Sequence, residues 1–504
     1  MKKNNSVFGF LNDKLHTPTW LFILLIIVFV FRIPSFFEPY SYGDEMIYLT
    51  LGHAIRQGIP LYSGVHDNKP PLLYIMAAIA GSLFWFKAIL TLWMLVTIFI
   101  FWKLTEVLFP KNLRAQQFAT IIFAILTTIP LLEGNIVNAE LFMIGPTILG
   151  FFILLSRKLS SKSLFFAGTL FSVATLFKVP ASFDIPAIVF FWLATNKLNA
   201  KNLKLTFKST IILGLGFVTP ILLTFIWYFL QDAFSQYLVA AFLQNVGYLS
   251  SWRPGDVQEP FLVRNLPLLI RVGVVVVGLL TLYKVRKQIS PTFIIATVWL
   301  LLSLFAVTLS ERPYPHYLIQ SIPAVSILMG ILFTHQNKEQ VFTIIPLTLA
   351  IFVPYYFNFW RYPTLPYYVR FVRFVAGSLS RDEYINSYGS HVPTNYKIAE
   401  YLLSVTKKDE KIFVWGESSP IYALTRRLPP TKYVADYHIR DFSTPYETVT
   451  ALSRKMPSFI VILPNAPIFP ELETFLSRNY GLTETIDGAT IWKLLGPKVR
   501  ALIS

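Results

Sequence analysis

The stretch Tyr40–Tyr74, YSYGDEMIYLTLGHAIRQGIPLYSGVHDNKPPLLY, decides how the rest of this chain is read. It gathers two adjacent acids (Asp44, Glu45), a third acid (Asp67), two cations (Arg56, Lys69) and a Pro-Pro pair between hydrophobic segments long enough to cross a bilayer. Charge beside hydrocarbon is costly to maintain and usually serves function. A loop between membrane segments is also polar simply because water is there, so the order of the residues, more than their polarity, distinguishes a site from an ordinary loop.

Outward from this loop, the chain is strongly apolar. Of its 504 residues 54% are hydrophobic and 14% charged, and the mean hydropathy is +0.54, which excludes a soluble single domain and predicts a multipass membrane protein. Taking about 20 apolar residues for a ~30 Å hydrocarbon core, spans are expected at residues 19–37, 86–105, 115–131, 140–156, 163–177, 184–196, 209–230, 265–283, 290–309, 316–334 and 341–357. The run 71–85, PLLYIMAAIAGSLFW, begins with prolines and is too short to cross; it is expected to lie along or dip into the surface. No small-residue cleavage site follows the first run, so a retained signal anchor is expected.

The formal net charge of +17 does not point to nucleic acid, because Lys and Arg fall in short clusters between apolar runs. With the N-terminus (Lys2, Lys3, Lys14) inside, the alternating connections carry seventeen cations on the cytoplasmic side against six outside (Arg56, Lys69, Lys178, Arg253, Arg264, Arg312). This bias sets the expected topology: a plasma-membrane protein with a cytoplasmic N-terminus, the opening loop outside, and an extracytoplasmic C-terminal region. The chain has no cysteine, so disulfides, thiolate catalysis and Cys-bound zinc are excluded.

Beyond residue 357 apolar runs shorten and charge becomes evenly spread. Residues 1–357 are therefore read as a transmembrane domain and 358–504 as a soluble α/β domain. Strands are expected at Lys411–Trp415, Ser458–Leu463 and Ala489–Leu494, with helices at Tyr396–Val405, behind an N-capping Thr394, and at Glu471–Arg478. Gly416-Glu417-Ser418-Ser419 lacks the lysine and glycine spacing of a phosphate loop and reads as a strand-to-helix turn.

The ordered elements G-D-E-x-x-Y, G-x-P-L-Y and D-x-K-P-P-L-x-Y resemble the first extracytoplasmic loop of the GT-C glycosyltransferases. They are most similar to the branch of the protein O-mannosyltransferases and lipid A aminoarabinose transferases (glycosyltransferase family 39-like). In that branch a D-E pair follows the first membrane helix and K-P-P-L closes the loop. The resemblance implies an α-helical multipass GT-C fold and an inverting transfer of a hexosyl or pentosyl group. The donor would be a polyprenyl-phosphate sugar, and the acceptor a hydroxyl of a lipid, glycan or protein in the cell envelope, with the bilayer as a partner and no nucleic acid.

Such chemistry needs a base to take the acceptor proton and cations to stabilise the departing phosphate. Asp44 matches the family's acid and is expected to be the base; Glu45 is either its helper or a helix-start acid. Glu140 matches the second-loop acid, with stabilisation of a helix N-terminus as the alternative. Lys69 is the leading candidate for the donor phosphate, against a snorkelling lysine. Arg312 and His316 of Glu311–Tyr317, ERPYPHY, are similar to an R-x-x-P-H-Y element and could donate to the phosphate; an interfacial aromatic belt would give the same composition. Lys178 is similar to the Lys of an L-T-K element. The aminoarabinose-transferase form has an acid directly before its Lys, whereas Asn68 intervenes here. A divalent metal ion therefore rests only on His66, Asp67 and His53, a weak pattern for metal. The rival class is a transporter or flippase of lipid-linked sugars, which should instead show ionisable residues near the bilayer midplane.

Overall fold

The computed structural model describes residues 17–156, 159–244, 260–310, 312–333, 338–417 and 419–503. It is a helical multipass membrane protein with a small C-terminal α/β portion. Among the described residues, seven of the expected spans are helices long and apolar enough to cross a membrane, including Leu83–Leu108, Ala139–Ser156 and Pro291–Thr308. The other four are shorter: Leu113–Leu126 and Ser161–Phe177 are continuous, while the remaining two are entered through 3-10 turns at Val179–Asp184 and Pro315–Ser321. Proline near the start of each turn explains the tighter winding, since it lacks the N–H that an α-helix would use further in.

The apolar run after the first loop is not a span. It forms a nine-residue helix, Leu72–Ala80, about 14 Å long, and stops where Gly81 takes a left-handed φ of 67° before the helix from Leu83 begins.

The chain divides into two compact units. The first comprises Met1–Ser35, Lys87–Trp227 and Phe242–Thr364. Two of its buried cations are tied to main chain: Arg32 donates to the Thr127 carbonyl at 2.8 Å, and Lys87, 1% exposed, donates to that of Asn135 at 2.8 Å. Charges this deep in an apolar body persist only with such partners.

The second unit comprises Phe36–Phe86, Tyr228–Ala241 and Leu365–Ser504, so the first loop packs with the C-terminal region. The loop's two helices, Gly43–Arg56 and Leu72–Ala80, cross where Gly52 meets Ala77 and Ala78; a Cβ at Gly52 would come within 2.6 Å of the Ala78 nitrogen. Ser419 Oγ donates to the Gly43 carbonyl at 2.9 Å, and the His66 N–H donates to the Lys432 carbonyl at 2.8 Å. The turn at Gly416 thus leads into a short helix, Ser419–Thr425, that holds the loop; Ser418 lies outside the described residues.

The sheet of this unit has the order β1-β2-β4-β3, with β1 (Ile412–Trp415), β2 (Phe459–Ile462), β3 (Tyr480–Ile486) and β4 (Ala489–Leu494). β1 and β2 are parallel, and β4 is antiparallel to both β2 and β3. β3 was not expected: its sequence YGLTETI is mostly exposed and shows no apolar run. It forms because Asp487 and Gly488, both at positive φ, make the tight turn that returns the chain along β4. Thr394 is not an N-cap either. The helix begins at His391, and the Thr394 hydroxyl donates to Asp487 at 2.9 Å.

Candidate active site

In the second unit, Asp44 and Glu45 occupy the first turn of Gly43–Arg56, where the helix dipole favours negative charge. Their side chains diverge. Glu45 is buried, 1% exposed, whereas the Asp44 side chain is 35% exposed and can meet a substrate. One turn on, the Tyr48 hydroxyl donates to Asp44 Oδ2 at 2.8 Å, the pairing that i,i+4 spacing allows. Burial, then the charges of Asp44 and Asp67, push the Tyr48 hydroxyl well above its ordinary pKa, so it remains a donor.

Lys69 reaches both acids of the loop. Its Nζ lies 3.9 Å from Asp44 Oδ2 and 3.7 Å from Asp67 Oδ2, and 5.0 Å from the centre of the Tyr48 ring. The main chain of Lys69 is pinned on both sides: its carbonyl accepts from Tyr62 Oη at 2.8 Å, and its N–H donates to Tyr74 Oη at 3.3 Å. Tyr62 has a left-handed φ of 75°, uncommon for an aromatic residue. Its ring packs against those of Tyr228 and Tyr237, at 5.2 and 5.1 Å, and these two also touch each other at 4.3 Å.

Asp67 is almost fully buried. Burial alone would raise its pKa, but the Lys69 ammonium, His438 and the Asn68 N–H together hold it below the ordinary carboxylate range. His438, from the helix Asp436–Phe442, places Nε2 3.6 Å from Asp67 Oδ1. Burial drives the His438 pKa down, in spite of the opposing charge of Asp67. The result is a line of four groups, His438, Asp67, Lys69 and Asp44, running from the interior to the surface of the unit.

Of the metal candidates, His66 and Asp67 fall in this cluster, with the His66 ring against Tyr433, Phe442 and His438. His53 does not: it sits at the far end of Gly43–Arg56, with its ring nitrogen 2.9 Å from Gln57 Nε2. No group of three or more His, Cys, Asp or Glu side chains suited to a metal ion occurs among the described residues. The three candidates therefore do not form one shell, and no step is derived through a metal.

The first unit carries a second ionic cluster. Glu140, 2% exposed, lies in the first turn of Ala139–Ser156 behind Asn138, whose Oδ1 accepts the Leu141 N–H at 2.9 Å. Lys178 Nζ donates to Glu140 Oε1 and sits 3.6 Å from the centre of the Tyr317 ring. His316 bridges two acids, with Nδ1 bonded to Glu133 Oε2 and Nε2 3.9 Å from Glu140 Oε1. Tyr362 hydrogen-bonds Glu133, and burial followed by that charge raises its pKa. Arg312 lies on the same segment as His316, four residues earlier, and is partly exposed; Glu311 falls outside the described residues.

The structure thus groups Asp44, Lys69 and Asp67 in one unit and Glu140, Lys178 and His316 in the other. Sequence reasoning missed Glu133, Tyr48 and His438 as members. Glu133 carried the same signal as Glu140, an acid in the same short connection between apolar runs. His438 carried none, because only the pairing of His66 with the segment at Lys432–Tyr433 brings it to Asp67.

Comparison with known proteins separates the two portions of the chain. Residues 394–493 match the family model of the competence-induced protein Ccs4 C-terminal domain. No curated protein matches the sequence significantly. Among solved structures, ArnT from Cupriavidus metallidurans bound to undecaprenyl phosphate matches with a TM-score of 0.54 at 14% identity, over 95% of this chain and 98% of ArnT. The same protein in its apo state matches with a TM-score of 0.54 at 14% identity, over 94% and 97%. The fold is GT-C. At this identity the likeness establishes architecture from end to end, in line with the resemblance carried by the first loop, and leaves the chemistry to the residues.

Proposed function

We propose that the protein is an inverting glycosyltransferase that moves a sugar from a polyprenyl-phosphate donor to an acceptor hydroxyl. Asp44 carries this reading: it is a solvent-accessible carboxylate with an ammonium 3.9 Å away and a tyrosine hydroxyl bonded to it, at the head of the first loop of a GT-C fold. The undecaprenyl phosphate bound to ArnT supports the choice of donor.

Asp44 takes the proton of the acceptor hydroxyl as its oxygen bonds to the anomeric carbon. The bond from that carbon to the phosphate oxygen breaks at the same centre, and polyprenyl phosphate leaves with the electron pair. Attack opposite the leaving group inverts the anomeric centre. Tyr48 and Lys69 orient the base. Lys69, on a flexible four-carbon stem, is also assigned to the leaving phosphate; within the first unit, Lys178, His316 and Arg312 are assigned to phosphate contact on their own chemistry. Glu140 holds Lys178 and His316 in place. The acceptor, whether lipid, glycan or protein, is defined only as a hydroxyl. The reaction is assigned to the outer face, with the N-terminus cytoplasmic and residues 358–504 extracytoplasmic, on the strength of the charge bias.

The test is single-turnover transfer from a polyprenyl-phosphate sugar by Asp44→Asn, alongside donor binding. Loss of a general base costs about 10²–10⁴ in rate, with donor binding retained, and Glu45→Gln should cost less. Near-normal transfer would remove Asp44 from the mechanism.

A further inference from the structure

The second unit contains a groove of about 250 Å³ at the opposite end of Gly43–Arg56 from Asp44. Twelve residues of helix separate Asp44 from Arg56, about 18 Å at 1.5 Å per residue, so the groove is distinct from the candidate active site. His53, Arg56, Gln57, Tyr40, Ser82 and Arg426 contribute to its lining, and among the described residues no carboxylate does.

Two arginines and a histidine converge here from separate stretches of the chain. The Arg56 guanidinium lies over Gly81, where a Cβ would come within 2.0 Å of Nη1. Arg426 follows the helix Ser419–Thr425 with a left-handed φ of 55° and reaches the Gly81 carbonyl at 3.5 Å. Each arginine follows or ends a helix, where positive charge complements the dipole. That alone accounts for one cation per helix end; it does not account for their meeting, with His53, around a concave and acid-free space. Behind them Arg427 is buried, 6% exposed, and spent on the carbonyls of Thr425 and Thr406.

The groove also borders apolar surface. Its floor, Gly81–Ser82, joins the helix Leu72–Ala80 to the membrane helix, and on either side Ile79, Phe84 and Trp85 are 67%, 49% and 60% exposed. Large exposed apolar side chains next to a cationic pocket suit a ligand with an anionic head and a hydrocarbon body.

We propose that this groove binds the phosphoryl group of a membrane amphiphile, with Arg56 and Arg426 as the charge-assisted donors, His53, Gln57 and the hydroxyls of Tyr40 and Ser82 completing the site, and the chain lying along Ile79, Phe84 and Trp85. Two guanidinium groups match the planar, multidentate geometry of phosphate recognition. The His53 pKa is lowered by burial, against a hydrogen bond with the Arg426 main chain, and further by the charges of Arg426, Arg56 and Arg427. A phosphoryl group that neutralises those arginines removes part of the cause. This proposal is independent of the transferase reading.

The test uses the full-length protein in nanodiscs of zwitterionic lipid, titrated with dihexanoyl phosphatidic acid and, separately, inorganic phosphate. Saturable binding of the lipid is expected, tighter than that of phosphate, with the His53 imidazole titrating at higher pH in its presence. R56Q/R426Q should weaken lipid binding at least about tenfold, the low end of what charged hydrogen bonds are worth. R56K/R426K, which keeps charge and packing but loses the guanidinium fork, should fall between, and provides the measurement if the glutamine variant does not fold. K407Q/K408Q removes two exposed charges elsewhere and should change nothing. Equal loss in that control would show a net-charge effect and overturn the proposal, as would unchanged binding by R56Q/R426Q. Phosphate binding as tight as the lipid's would overturn the amphiphile assignment.

Discussion

Lys69 is assigned two tasks, holding buried Asp67 and meeting the donor phosphate, and a double-mutant cycle with Asp67 separates them. At 3.7 Å from Asp67 Oδ2, with an effective dielectric constant near 20, the attraction is about 4–5 kcal/mol. The Lys69 side chain is 22% exposed, so water replaces part of this when the ammonium is removed. Lys69→Met should therefore destabilise the protein by about 3 kcal/mol, because it strands a carboxylate that has almost no access to water. Asp67 would escape by taking up a proton, so its folded pKa in Lys69→Met lies above the unfolded value and stability should fall as pH rises through it, whereas in the wild type the Asp67 pKa is lowered and its contribution is lost only on acidification below the ordinary carboxylate range. Lys69→Met/Asp67→Asn removes both charges and should recover most of the lost stability. Thermal unfolding of the detergent-solubilised variants across pH measures this. Transfer should not recover in the double variant if the ammonium also acts on the phosphate. Additive effects of the two substitutions would refute the charge coupling, and full recovery of transfer would reduce Lys69 to a structural residue.

Further outcomes follow from other parts of the structure. Arg312→Ala should lower single-turnover transfer by about 10², the scale of one lost electrostatic stabiliser, and unchanged turnover would return it to an interfacial role. His438 has a folded pKa below its unfolded value, so the unfolded chain takes up the proton first as pH falls. Its contribution is complete above the ordinary histidine value of about 6.5 and is lost on acidification below it; His438→Gln should flatten the stability profile between about pH 5 and 7, read by thermal unfolding. Gly52→Ala forces a Cβ against the Ala77–Ala78 main chain and should cost about 1–3 kcal/mol, whereas Gly58→Ala, with open space around it but a φ of 76°, should cost less. A reporter fused after Ser504 should be active outside the cytoplasm, and cytoplasmic activity would reverse the topology.

The sequence by itself determined the membrane architecture and the importance of the first loop. Both are properties of local composition: apolar runs must be buried in lipid or protein wherever they lie in the chain, and Asp44, Asp67 and Lys69 stand out because charge is rare beside such runs. The D-E and K-P-P-L elements carried the resemblance to GT-C enzymes for the same reason, being short and contiguous. Local pattern failed where stabilisation is not local. β3 exists by pairing with β4 across the Asp487-Gly488 turn, a dipeptide signal that marks the hairpin even though YGLTETI has no apolar run. Thr394 has the chemistry of a cap, yet the Asp487 carboxylate recruits it instead.

Only the tertiary structure decided which charges share a partner. Asp44 and Asp67 converge on one ammonium because Tyr62 and Tyr74 fix the main chain of Lys69. His438 joins them because the loop is bonded to the C-terminal segment at Lys432. Likewise Glu133 and Glu140 share His316, which comes from a turn between two later helices. Coulomb energy depends on separation in space and on the surrounding dielectric, and neither is written in the order of residues along the chain.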